Sequence, residues 1–130
     1  MTSILIVDDD GAVRSATQIL LQANGFDVIT VPDGMSAVNA VQAGQIDLAI
    51  VDLFMTGMDG LETAKALRKQ CPRMPIITAS GFMFGGSGTR LEMPDFEAMA
   101  LEAGATATVY KPFRPKELLQ IIQEVLKSVA

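Results

Sequence analysis

Short, almost wholly apolar runs recur along the chain, separated by longer segments in which apolar residues return at helical spacing. The runs are SILIV at 3–7, DVIT at 27–30, DLAIV at 47–51, MPIIT at 74–78 and ATVY at 107–110. A strand covered on both faces is apolar throughout, so the first, third and fourth runs are predicted to be central strands of a parallel sheet. Between the runs, Val13, Ala16 and Leu20 repeat with the period of a helix, as do Val38 with Val41, Leu61 with Ala64 and Leu67, and Leu118 with Ile121, Ile122 and Val125. Each set predicts one helix face packed on the sheet. Gly25, Gly44 and Gly104 fall where helices should stop, and Pro115 suits a first helical turn. Asp10 before GAVRS and Asp59 before GLETAKAL read as N-caps, whose carboxylates accept from the first free N–H groups. Strand and helix alternating in this way predict α/β architecture with helices on both faces of a doubly wound sheet.

Two segments sit less comfortably in that pattern. The stretch SGFMFGGSGTRLEMPD at 80–95 is too rich in glycine for a regular element and longer than an ordinary connection. It is expected to form a long loop leading into a fourth helix near Pro94, with Phe82, Met83 and Phe84 as a packed cluster or a patch facing a partner. The basic group Lys65, Arg68, Lys69 and Arg73 reads as the solvated face of the third helix.

Composition removes several kinds of chemistry. At 130 residues and 49% hydrophobic, the chain is sized for one compact domain. Its formal charge of −5 offers no field to attract a nucleic-acid backbone. There is no histidine and one cysteine, Cys71, so an internal disulfide, a histidine-based triad and the usual zinc ligand sets are excluded. No apolar run approaches the length of a membrane span, and the opening MTSILIVDDD lacks the layout of a signal peptide; a soluble, cytoplasmic protein is expected.

Chemistry in a doubly wound sheet collects outside the carboxyl ends of the strands. Strand one ends in Asp8 and Asp9, strand three in Asp52, strand four in Thr78 and strand five in Lys111, each directly after an apolar run. Like charges about 4 Å apart cost on the order of 4 kcal/mol per pair at an effective dielectric near 20. A divalent cation would offset that cost, and oxygen ligands without His or Cys suit Mg²⁺. These are the parts for phosphoryl transfer to a carboxylate, with Asp52 as nucleophile, Thr78 as a hydrogen-bond donor and Lys111 as a mobile positive charge.

In this order, ILIVDDD, IVDLFMTGMDG, PIITASG and VYKPF resemble the receiver domain of bacterial two-component response regulators, the CheY-like superfamily. The resemblance covers essentially the whole chain. It implies a flavodoxin-like fold of five parallel strands in the order 2-1-3-4-5 with five helices, a single receiver domain over 1–130, and no output domain. It further implies that a sensor histidine kinase or phosphotransferase phosphorylates Asp52. Asp9 would then ligate Mg²⁺ directly, Asp8 would hold metal-bound water, and Asp52 and the backbone carbonyl of Phe54 would complete the protein ligands. Thr78 and Lys111 match the switch hydroxyl and the phosphate-binding lysine, and the bond from Lys111 to Pro112 is expected to be cis.

The sequence departs from the family pattern at two positions. Thr56 stands where proline is frequent, and Thr108 stands where a switch aromatic usually sits. Strand alternation puts Tyr110 on the same face as Thr108, which makes it a candidate for part of that role. The 80–93 loop, starting beside Thr78, is a second candidate, expected either to become ordered on phosphorylation or partner binding or to pack permanently on the domain surface.

Other functions fit less well. A Mg²⁺-dependent aspartyl-phosphate phosphatase would carry an acid two residues after its nucleophile, where this chain has Phe54. A flavin- or nucleotide-binding protein would need an anion cradle after strand one, where DDDGAVRS presents carboxylates. An unphosphorylated scaffold of the same fold is opposed by the intact acid set. The expectation is a signalling module, not a turnover enzyme, read out by an unknown downstream protein without direct nucleic-acid or membrane contact, as a monomer or weak homodimer.

Overall fold

The computed structural model describes residues 1–54, 59–81, 96–111 and 113–128. Strands β1 (Ser3–Val7), β2 (Asp27–Val31), β3 (Leu48–Asp52), β4 (Ile76–Gly81) and β5 (Ala107–Lys111) alternate with helices α1 (Gly11–Ala23), α2 (Gly34–Ala43), α3 (Gly60–Gln70), α4 (Phe96–Glu102) and α5 (Pro115–Ser128). The strands form one parallel sheet in the order β2-β1-β3-β4-β5. This is the predicted flavodoxin-like topology, and the three most apolar strands, β1, β3 and β4, occupy its centre.

Strand periodicity divides the core into two layers. Leu5, Val7, Ala49, Val51 and Ile76 point to one side and pack with Ala37 and Val41 of α2 and Ala64 and Leu67 of α3. Their neighbours Ile4, Ile6, Leu48, Ile50, Ile77 and Val109 point to the other, against Leu21 of α1 and Leu118, Ile122 and Val125 of α5. Burial of this kind contributes roughly 1.5–3 kcal/mol for each large aliphatic side chain. A smaller cluster of Leu53, Ala100 and Ala105 seats α4.

The predicted caps are in place. Asp10 accepts from the N–H groups of Ala12 and Val13, and Asp59 from that of Glu62. Gly25 and Gly104 have φ of +89° and +109°, a region L side chains rarely adopt, whereas Gly44 ends α2 with extended backbone.

Four expectations need correction. Ala16 is exposed; α1 turns Thr17 and Leu21 to the core instead, with Leu20 partly buried beside them. The helix is rotated from the face that counting apolar residues selected, because Thr17 buries its hydroxyl by donating to the Val13 carbonyl at 2.8 Å. Strand β4 runs on to Gly81, so Thr78 lies inside it and Ser80 and Gly81 belong to the sheet, not to a loop. Strand β1 stops at Val7, so Asp8 and Asp9 lie just beyond it, whereas Asp52 and Lys111 end β3 and β5 as expected.

The fourth concerns Arg68, which is no solvated charge. Its guanidinium donates from Nε and Nη2 to the Gly104 carbonyl at 3.1 and 2.7 Å, and from Nη1 to the carbonyls of Cys71 and Pro72 at 3.1 and 3.0 Å. Thr56, the Phe82–Phe84 cluster, the rest of the 82–95 stretch and Pro112 with its peptide bond lie outside the described residues.

Candidate functional site

The order 2-1-3-4-5 reverses the direction of winding between β1 and β3, and a crevice opens at their carboxyl ends. Asp8 leaves β1 there and Asp52 ends β3 beside it. Each has a local reason for its orientation. Asp8 Oδ1 accepts from the Asp10 N–H at 2.9 Å, folding the carboxylate back over the turn into α1, and Arg14 Nη1 holds the Asp8 carbonyl at 2.8 Å. Asp52 Oδ1 accepts from the Phe54 N–H at 3.1 Å, which leaves Oδ2 facing the crevice.

Lys111, ending β5, reaches across both. Its ammonium lies 2.7 Å from Asp8 Oδ2 and 3.6 Å from Asp52 Oδ2. Asp9 completes the group: Asp8, Asp9 and Asp52 each offer a carboxylate oxygen within 4.8 Å of the others. Asp8 and Asp52 are buried and Asp9 is exposed, so the cluster opens to solvent on the Asp9 side.

Burial pushes the Asp52 carboxyl up to about 6. The Phe54 N–H and Lys111 pull against that rise, while the charges of Asp8 and Asp9 add to it. Desolvation and like charge both penalise the anion, and one ammonium shared with Asp8 does not offset them.

Thr78 stands apart from this group. It pairs with Val51, one register position before Asp52, and with Thr108 on its other side. Its hydroxyl is fully buried and, among the described residues, is the one buried side-chain polar atom with no hydrogen-bond partner. Such an atom costs about 1–3 kcal/mol, and a native fold that retains one calls for an explanation. Tyr110 lies on the same face as Thr108 but is exposed, and its hydroxyl donates to Glu97 Oε2 of α4 at 3.2 Å.

The structure therefore brings Asp8, Asp9, Asp52 and Lys111 into one cluster and leaves Thr78 as an unsatisfied group on the adjacent strand. Phe54 contributes its N–H to Asp52, and its side chain is about one-third exposed at the mouth of the site. One contact was not recognised in the sequence, that of Arg14, which is made to backbone and follows no motif.

Three clustered carboxylates with a shared lysine at the switch point of a 2-1-3-4-5 sheet define a receiver-type signalling domain. The chain belongs to the response regulator receiver domain family, whose model matches residues 4–123. It is 35% identical over 126 residues to the transcriptional regulatory protein CseB of Streptomyces avermitilis, covering 97% of this chain and 49% of that protein. It is 32% identical over 124 residues to the DNA-binding response regulator MtrA of Mycobacterium tuberculosis, covering 95% of this chain and 50% of that protein. The chain thus spans about half the length of the curated relatives it matches. Among solved structures, chemotaxis protein CheY4 of Vibrio cholerae superposes with a TM-score of 0.84 at 31% identity, covering 96% of this chain and 98% of that one. A CheY-like receiver from Methanospirillum hungatei gives 0.86 at 28% identity, covering 99% and 96%. The protein is a receiver domain of the two-component response regulators, and no described helix is long and apolar enough to cross a membrane.

Proposed function

We propose that Asp52 is the phosphoacceptor of this receiver, and that Asp8, Asp9, Asp52 and the Phe54 carbonyl hold Mg²⁺ beside it. The observation that carries this reading is a buried carboxylate, its pKa raised to about 6, facing a lysine and two further acids in a crevice open on one side. The donor set fits the ion. Its side chains are oxygen-only, and three carboxylates within 4.8 Å of one another are charges whose crowding a hard divalent cation would offset. When bound, Mg²⁺ would neutralise charge on the phosphoryl oxygens.

The remaining chemistry belongs to the chain. An Asp52 carboxylate oxygen attacks phosphorus, the bond from phosphorus to the donor breaks, and the donor leaves with the electron pair. Only the ionised carboxylate attacks, and a bound cation would favour that form against the burial that raises the Asp52 pKa. Lys111, within 3.6 Å of Asp52, turns its ammonium to a phosphoryl oxygen, and the Thr78 hydroxyl supplies the hydrogen bond it does not make in the resting fold.

The donor in this reading is a sensor histidine kinase or phosphotransferase, in the cytoplasm. Output passes by protein contact, on a separate chain or elsewhere on a longer one, without the receiver itself touching nucleic acid or membrane. A phosphatase reading is less well supported, because Phe54 offers no proton-transferring group next to the nucleophile. Incubation with a small phosphodonor, followed by intact mass, tests the proposal. One phosphoryl group should appear with Mg²⁺ and none with a chelator, and uptake that ignores the metal would overturn it.

A further inference from the structure

Gly60 opens α3 directly beneath the Asp52–Leu53 peptide. A Cβ at this position would overlap the Asp52 carbonyl oxygen and the Leu53 Cα, and would lie 2.8 Å from the Asp52 carbonyl carbon. All three are backbone atoms, so no side-chain rotation would make room. The requirement is one of space alone, because Gly60 is not among the glycines with positive φ.

Leu53, which closes this peptide, is held from two sides. The Gly60 N–H donates to the Leu53 carbonyl at 3.3 Å, while the Leu53 N–H donates to Ala79 of β4 at 2.9 Å. The first turn of α3 is itself fixed: Asp59 caps the Glu62 N–H at 2.7 Å, and the buried Thr63 donates from its hydroxyl to the Asp59 carbonyl at 2.8 Å. Asp52 is thereby pinned between a central strand and a helix terminus, and the thickness of the contact on the helix side is set by a hydrogen atom.

We propose that Gly60 is a positioning residue for phosphoryl transfer: by lacking a side chain it lets α3 close on the Asp52–Leu53 peptide and sets where the Asp52 carboxylate meets Lys111, Asp8 and Asp9. This rests on Asp52 being the acceptor. A methyl group at position 60 must push the helix away or the Asp52 backbone upward. Misplacing a reacting group by about 1 Å costs on the order of 100-fold in rate, so Gly60→Ala should slow phosphoryl uptake roughly 10- to 100-fold.

The test compares wild type, Gly60→Ala, Thr63→Val and Leu67→Ala in the cold, measuring uptake from a small phosphodonor at saturating Mg²⁺, the Mg²⁺ half-saturation and the melting temperature. Leu67 is fully buried in α3 away from the site, so its truncation lowers stability without touching the Asp52 peptide. Leu67→Ala should melt early yet take up phosphoryl within about twofold of wild type, whereas Gly60→Ala should be slow and need more Mg²⁺ for half-saturation. Thr63→Val adds no volume and removes only the anchor on Asp59; it should slow uptake by about threefold, which keeps the test decisive if Gly60→Ala does not fold. A Gly60→Ala rate within twofold of wild type, equal slowing by Leu67→Ala, or an unchanged Thr63→Val rate should Gly60→Ala not fold would overturn the proposal. Wild type that takes up no phosphoryl would overturn the acceptor reading instead.

Discussion

At the amino end of the sheet, polar groups meet in reciprocal pairs. Ser3 donates its N–H to Asp47 Oδ2 and accepts from the Asp47 N–H, both at 2.8 Å, and Ile76 and Thr106 exchange bonds of 3.1 and 2.7 Å. Arg68 closes that end by satisfying carbonyls after α3 and after α4 together. At the carboxyl end, three carboxylates cluster with two of them on one ammonium, a buried carboxyl has its pKa raised, and the Thr78 hydroxyl has no partner. The central strands β1, β3 and β4, which run between the two ends, are buried along most of their length. Poor satisfaction is therefore not a property of the fold. Among the described residues it is confined to the end where a metal and a phosphoryl group would supply what is missing.

The comparison breaks most visibly at Arg68. Arg68→Ala removes four charge-assisted donations to carbonyls and should lower stability by about 3 kcal/mol. If the two ends are independent, calorimetry should find the loss while Mg²⁺ half-saturation stays where it was. A shift in metal affinity of tenfold would show that the clamp and the site are one unit.

Mg²⁺ should act only on the carboxyl end. Binding the folded state alone stabilises by about 2.7 kcal/mol at a hundredfold excess over Kd, so the melting temperature should climb steadily with metal. Asp9→Ala should flatten that climb, because Asp9 supplies the exposed member of the cluster. A flat titration of the wild type would leave the crowding of charge without its explanation.

The smallest effect is the sharpest in sign. With its carboxyl raised to about 6, folded Asp52 keeps a proton between pH about 4 and 6 that the unfolded chain has already lost. Stability from this group is therefore full at pH 4, falls as pH rises through 6, and stays lower above it. Asp52→Asn cannot titrate, so in chelator it should match wild type near pH 4 and exceed it by about 2 kcal/mol at pH 7.5. Equal stability of the two at both pH values would mean that Asp52 sits in an environment that does not penalise its charge.

What could be read from the sequence divides along similar lines. The five strands, the caps at Asp10 and Asp59 and the topology follow from period, turn chemistry and resemblance, all of which are local or repeated. Asp8, Asp9, Asp52 and Lys111 were legible because acids and a lysine at the ends of apolar runs have few structural uses. Arg68 was misread because its partners, Gly104 among them, are distant in sequence and are backbone atoms that no motif marks. Ala16 was misplaced because an alanine and a threonine differ little in size, and a threonine that bonds its own helix backbone packs as an apolar residue. Thr78 was placed at the end of a strand that continues through Ala79, Ser80 and Gly81, small residues that carry little strand signal of their own. The part of Gly60 is invisible without coordinates, since its sequence context, after an N-cap and before a helix, already accounts for a glycine.

The central claim is that one carboxylate at the carboxyl end accepts the phosphoryl group while its neighbours hold the metal. Reducing the phosphorylated protein with borohydride converts an aspartyl phosphate to homoserine, and fragment-ion mass spectrometry then reads its position. The account predicts homoserine at position 52 alone, present with Mg²⁺ and absent with a chelator. Homoserine at position 8 or 9, or at 52 irrespective of the metal, would contradict it.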